Sequence, residues 1–167
     1  SGVPYVLTTD FMLSVAREGE NVYEARTFKP STSLNNQRTA MKLEIERRYY
    51  ASKGVEWKIV TEKDLPKLMV RNIEWIHSSH KLEGNQEMNK EELQYLSTIL
   101  KSRLEKAVSS VSKVTKDLDI EMNIEAGTSL YLFKHLMANK IVLVNMSSQK
   151  ALSSLSTKDL TFNKADA

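Results

Sequence analysis

The run M-K-L-E-I-E-R-R-Y-Y-A-S-K-G-V-E-W-K-I-V-T-E-K-D-L, Met41 to Leu65, changes from helical to extended periodicity partway along its length. Thr39 to Lys53 reads as an amphipathic helix with Met41, Ile45 and Tyr49 on one stripe. Asn35 or Asn36 supplies a cap at its start. Gly54 supplies the C-terminal stop. Val55 to Thr61 (V-E-W-K-I-V-T) is then a strand, rich in β-branched and aromatic residues.

Upstream, Val3 to Val15 is apolar around Thr8, Thr9 and Asp10 and reads as a strand. The charged R-E-G-E-N segment, Arg17 to Asn21, is a turn. Val22 to Lys29 forms a second strand. Its alternation puts Val22, Glu24, Arg26 and Phe28 on one face and Tyr23, Ala25, Thr27 and Lys29 on the other. Pro30 ends it, because proline lacks the N–H that a ladder needs. Downstream, Pro66 opens a helix carrying Leu68, Val70, Ile73 and Ile76 and ending near Ser79. The first half is therefore β-β-α-β-α. A strand Asp, a strand Lys, a helix and a returning strand, in that order, are the parts of a metal-dependent nuclease core.

His80 to Asn89 is polar and contains a glycine, so it reads as a linker. Lys90 to Ala107 is a long helix with Leu93, Leu96, Leu100 and Leu104 on one stripe. Val108 to Leu118 is a shorter helix, Ile120 to Thr128 a turn region with Gly127, and Ser129 to Asn139 a third helix. Ile141 to Met146 is a compact strand, followed by a serine-rich loop and a possible second strand. Three helices, strand, loop and strand outline a winged helix-turn-helix. The expected division is a nuclease-type core over 1–80, a linker over 81–89 and a winged-helix domain over 90–167.

The 167 residues suffice for one ordinary domain or two small ones. Hydrophobic residues at 41% and charged residues at 27% describe a globular protein and exclude a disordered one. A formal charge of +3 favours a polyanionic partner only mildly. The absence of cysteine excludes disulfides, thiolate zinc sites and cysteine nucleophiles, and it suits a reducing cytosol. No apolar run approaches the roughly 20 residues of a membrane helix. The chain begins at Ser1 rather than Met, and the sequence is read as a fragment.

Asp10 and Lys29 carry the candidate chemistry. A carboxylate inside an apolar strand must be paired, neutralised or bound to a metal, because burying it free is costly; the alternative is a strand-end Asp facing water. If the first two strands are antiparallel neighbours, Lys29 lies beside Asp10. There it can orient a water and neutralise charge developing on a phosphoryl transition state; the alternative is a solvated strand terminus. Glu44, Glu46, Arg47 and Arg48 form a charged helix face that either is merely solvated or lets Arg47 and Arg48 touch phosphates. Trp57 and Trp75 read as core residues. His77, His80 and His135 lack metal-ligand spacing. In the second half, Lys134, His135, Lys140 and Lys150 can form a strip facing DNA, although winged helices also bind proteins. Neither a glycine-rich phosphate loop nor a G-x-S-x-G elbow occurs.

L-E-I-E-R-R-Y-Y (Leu43–Tyr50) and N-I-E-W-I-H (Asn72–His77), with T-T-D-F-M (Thr8–Met12) and F-K-P (Phe28–Pro30), resemble the TnsA family, the endonuclease subunit of heteromeric DNA transposases. The resemblance is densest between Thr39 and Ser78 and disfavours a resolvase or a mobile-element restriction enzyme. It implies an α/β restriction-endonuclease-like (PD-(D/E)xK) core, here apparently truncated at its N-terminus, followed by a mainly α winged helix. It also implies Mg²⁺ (or Mn²⁺) as cofactor and metal-dependent cutting of transposon 5′ ends. The implied partners are transposon-end DNA, a TnsB-like transposase and a TnsC-like AAA+ regulator, in a bacterial cytoplasm at the nucleoid. By position Asp10 resembles the metal-binding aspartate and Lys29 the motif lysine. Thr27 stands where the family has an acidic residue or glutamine, a second but poorer metal ligand. The family's further glutamate lies upstream of the aspartate, so this chain alone is expected to be an incomplete nuclease. A different function, a non-catalytic docking subunit bridging transposase and regulator, remains open at this point. It is favoured if Asp10 and Lys29 prove to lie far apart.

Overall fold

The computed structural model describes residues 6–84, 88–148 and 152–163. The chain divides into two compact units, Ser1–Leu65 and Pro66–Ala167.

The first unit is a three-stranded sheet with one helix. β1 (Phe11–Arg17) and β2 (Glu20–Phe28) form an antiparallel hairpin in which Phe11 pairs with Arg26 and Arg17 with Glu20. The two residues between them, Glu18 and Gly19, both have positive φ (50° and 88°). That is the backbone twist a two-residue hairpin loop requires, and glycine adopts it without cost. After β2, Pro30 breaks the ladder and Ser31–Asn35 makes a short 3-10 turn. α1 (Gln37–Ser52) starts at Asn36, whose side chain accepts from the Thr39 N–H, and Gly54 follows it at φ +67°. β3 (Glu56–Val60) returns parallel to β2, pairing Ala25 with Trp57 and Phe28 with Val60, so the strand order is β1-β2-β3.

Two expectations are corrected here. The first strand begins at Phe11, which leaves Asp10 just outside it in a bend; residues 3–5 lie outside the described residues. On α1 the stripe Met41, Ile45, Tyr49 is the exposed one. The side chains that turn inward are Leu43 and Glu46, with Tyr50 half-buried. Hydrophobic spacing placed the apolar stripe correctly on a helix but not against the sheet.

The second unit is helical. α2 (Lys67–His77) packs against the helix over Thr128–Ala138 and belongs here rather than with the sheet, so the compact units divide at Leu65–Pro66 and not across 81–89. α3 (Lys90–Lys106) opens on a capping box: Asn89 accepts from the Glu92 N–H, and the Glu92 carboxylate accepts from the Asn89 N–H. Its inward stripe is Leu93, Leu96, Leu100 and Leu104, as spaced in the sequence. α4 (Val111–Met122) begins three residues later than expected and runs past Leu118. α5 (Thr128–Ala138) follows Gly127, at φ +100°. The core gathers Leu100, Leu104, Val111, Leu118, Leu132, Phe133 and Leu136, all almost fully buried. β4 (Val142–Leu143) and β5 (Thr161–Phe162) form a two-residue antiparallel ladder, shorter than the strand expected over 141–146.

Candidate functional site

The edge of the first unit's sheet, where β1 begins and β2 ends, gathers the candidate residues. Asp10 sits one residue before β1, opposite the end of β2. Its Oδ2 accepts from the Phe28 N–H at 2.7 Å, so the side chain extends the ladder past its last backbone pair. Lys29 follows β2. Its own N–H donates to the Val60 carbonyl on β3 at 3.1 Å, which fixes where its side chain starts. Its ammonium donates to the Phe28 carbonyl at 2.9 Å and lies 3.7 Å from Asp10 Oδ2. Two residues further on, the Glu62 carboxylate accepts from both the N–H and the hydroxyl of Ser31, clamping the turn after Lys29. Those bonds hold the Glu62 carboxyl below its usual range.

Asp10 and Lys29, nineteen positions apart in the chain, are thus in direct ion-pair reach. Both side chains remain more than a third exposed, so the pair faces solvent and not the interior. An ammonium beside a carboxylate at an open sheet edge can receive a phosphate oxygen while the carboxylate holds the lysine in place.

Thr27 behaves differently from its sequence role. Its side chain is fully buried and turned toward α1, where its hydroxyl donates to Glu46 Oε2 at 2.6 Å. The Trp57 indole N–H reaches the Thr27 hydroxyl at 3.1 Å and Glu46 Oε2 at 3.3 Å. The Thr27 hydroxyl is therefore engaged in this network. A hard divalent cation takes about six oxygen ligands. Asp10 is the carboxylate paired with Lys29, and no group of three His, Cys, Asp or Glu that could hold a metal occurs among the described residues. These residues do not by themselves make a magnesium site.

Glu46 is the residue that the sequence misassigned. Read as part of a solvated face, it is buried. With Lys29, Lys42 and Thr39 it lines a cleft of about 230 Å³ between α1 and the sheet edge. The signal was available: Leu43, Glu46 and Tyr50 recur at helical spacing on the face opposite the exposed apolar stripe.

Several of the candidate DNA contacts are engaged within their own units. Arg47 grips Glu44 through Nε and Nη2 at 2.7 and 2.8 Å, and Arg48 adds a third bond at 2.7 Å. The two guanidiniums hold the Glu44 carboxyl down at about 2. In the second unit, the Lys134 ammonium lies over the Trp75 ring, 4.3 Å from its centre, instead of standing free in a strip. His135 Nδ1 is 3.0 Å from the Ser79 carbonyl. Lys140 is exposed, at a positive φ of 59°. Lys150 lies outside the described residues.

Comparison with known proteins agrees with the element order. The family described as TnsA-like endonuclease N terminal matches residues 1–62, and TnsA endonuclease C terminal matches residues 64–146. Their junction falls where the two compact units divide. The transposon Tn7 transposition protein TnsA of Escherichia coli is 33% identical over 145 residues, covering 87% of this chain and 51% of that protein. The chain thus spans about half the length of that relative. The mixed α/β architecture of the first unit accords with the restriction-endonuclease-like fold that this family implies. Element order, the paired Asp10 and Lys29, and both matched halves lead to one conclusion: the chain belongs to the TnsA endonuclease family.

Proposed function

We propose that this chain contributes the hydrolytic edge of a transposon-end endonuclease subunit, one that cuts the 5′, non-transferred strand during cut-and-paste transposition. The observation that carries the reading is the 3.7 Å approach of the Lys29 ammonium to Asp10, the proximity expected if the first two strands pair antiparallel, as they do. In this reading Lys29 neutralises charge on the scissile phosphate as the phosphorus–oxygen bond breaks. Asp10, anchored on the Phe28 N–H, keeps the ammonium from swinging into solvent. Membership of this family carries divalent-metal dependence as an expectation, with Mg²⁺ or Mn²⁺ as the cation. Asp10 is the carboxylate that the described residues offer it.

The second unit supports a winged-helix reading of the part from α3 onward. α4 and α5 are joined by a turn that Asp119 holds shut, and β4 and β5 follow as a short ladder. An isolated antiparallel bridge between Ser110 and Ser156 adds a third strand-like contact. Transposon-end DNA, a TnsB-like transposase and a TnsC-like AAA+ regulator are the proposed partners, in the bacterial cytoplasm. Among the described residues no helix is long and apolar enough to cross a membrane. The competing function is a docking subunit that does no chemistry, which the close approach of Asp10 and Lys29 disfavours.

The test is 5′-strand cleavage by the protein carrying this chain, assembled with its transposase and regulator, after Lys29→Ala and Lys29→Arg. A drop of about 100-fold in Lys29→Ala supports the hydrolytic role. Cleavage at the parent rate by both variants leaves only the docking role.

A further inference from the structure

We propose that Tyr50 is a positioning residue for the Asp10–Lys29 pair, acting through Thr9; this rests on the nuclease reading above. Asp10 is not held by the sheet's backbone, since the β1–β2 ladder begins at Phe11. Something must fix the segment before it. The Tyr50 hydroxyl donates to Thr9 Oγ1 at 2.8 Å, across 41 positions of sequence, at a partly buried contact. Thr9 is the residue immediately before Asp10.

Tyr50 is itself well fixed. It lies in the last turn of α1, and its carbonyl accepts from the N–H groups of Lys53 and Val55 at 3.0 Å each, which ties it to the start of β3. One helical turn earlier on the same face, Glu46 holds Thr27 of β2. A single stripe of α1 therefore sets both sides of the site. Glu46 sets the strand leading to Lys29, and Tyr50 sets the segment carrying Asp10. The Asp10 side chain is held by the Phe28 N–H and faces Lys29, and the Tyr50 tether fixes the backbone that leads into it. Misplacing a catalytic group by about 1 Å can cost on the order of 100-fold in rate. The hydroxyl need not touch substrate to matter.

The experiment compares Tyr50→Phe, Thr9→Val, Thr9→Ser and the Tyr50→Phe/Thr9→Val double variant. Two readouts are used: 5′-strand cleavage in the assembled complex, and the Phe28 amide resonance of the protein, which reports the bond to Asp10. Tyr50→Phe and Thr9→Val should each slow cleavage by about tenfold without weakening DNA binding. The double variant should be no slower than either single, because both remove one shared bond. Thr9→Ser, which keeps the hydroxyl, should restore the parent rate. The Phe28 amide should move upfield and exchange faster in the two damaged singles, while the Leu43 and Ile59 amides stay in place. Cleavage by Tyr50→Phe at the parent rate, or an unmoved Phe28 amide, overturns the proposal. Asp10→Ala is run alongside: if it too cleaves at the parent rate, the nuclease reading is what fails. If it is inert while Tyr50→Phe is unimpaired, only the positioning role fails.

Discussion

The hydroxyl of Thr27 donates to Glu46 across the interface of β2 and α1, at 2.6 Å and out of contact with solvent. Removing the hydroxyl leaves a buried carboxylate one partner short. Thr27→Val should therefore destabilise the first unit by about 2 kcal/mol in urea denaturation, the usual cost of stranding a buried polar group. Glu46→Gln keeps an acceptor for Thr27 and should cost less than half as much. Equal losses would show that the charge, and not the bond, matters.

Opposite faces of α1 should respond unequally to truncation. Leu43→Ala removes a buried side chain and should cost about 2–3 kcal/mol. Ile45→Ala, on the exposed stripe, should stay within about 0.5 kcal/mol. Thermal or urea unfolding of the two variants decides this; a larger loss at Ile45 would contradict the orientation of the helix.

That orientation marks the limit of what the sequence made legible. Element order, a cap at Asn35 or Asn36, the stop at Gly54 and the α3 stripe followed from periodicity and turn chemistry; the proximity of Asp10 and Lys29 followed only on the condition that the first two strands pair antiparallel, as they do. The inward face of α1 did not, because its contact with the sheet is made partly by a charged side chain. Hydrophobicity scores Glu46 as solvent-facing, whereas hydrogen bonds from the Thr27 hydroxyl and the Trp57 indole offset the cost of its burial. The hydrogen bond that turns Thr27 toward α1 was equally hidden. Alternation placed Thr27 on one face with Lys29, but could not say that a carboxylate waited there. The assignment of α2 depended on tertiary contact with α5, which no local pattern records.

The pH dependence of the first unit should carry a contribution from Glu44. Arg47 and Arg48 hold its carboxyl at about 2, down from an ordinary 4.5. A depressed folded-state value means that the stabilisation is complete above about 4.5 and is lost as the pH falls toward about 2. Because the group is exposed, the effect should be small and weaken in salt. Urea midpoints of the parent and Glu44→Gln should converge over that interval. A gap that widens on acidification would refute the pairing.

Asp119 joins α4 to α5. It is buried and accepts from the Gly127 N–H at 2.7 Å and the Ser129 N–H at 2.8 Å, satisfying two donors at the start of α5. Asp119→Ala should destabilise the second unit by about 2 kcal/mol or more. The neighbouring Ser129 hydroxyl is buried with no hydrogen-bond partner among the described residues. Ser129→Ala should therefore be neutral, or stabilising by up to about 1 kcal/mol. Calorimetry of both variants checks the pair, and a costly Ser129→Ala would reveal a partner for that hydroxyl.

Asp10→Ala in the assembled transposition complex tests the central claim most directly. Cleavage of the 5′ strand is measured with cleavage and joining of the 3′ strand followed in the same reaction. Cleavage at the 5′ end should fall by about 100-fold or more while 3′ events continue, since the variant removes the carboxylate and leaves the assembly intact. Undiminished 5′ cleavage would contradict the claim.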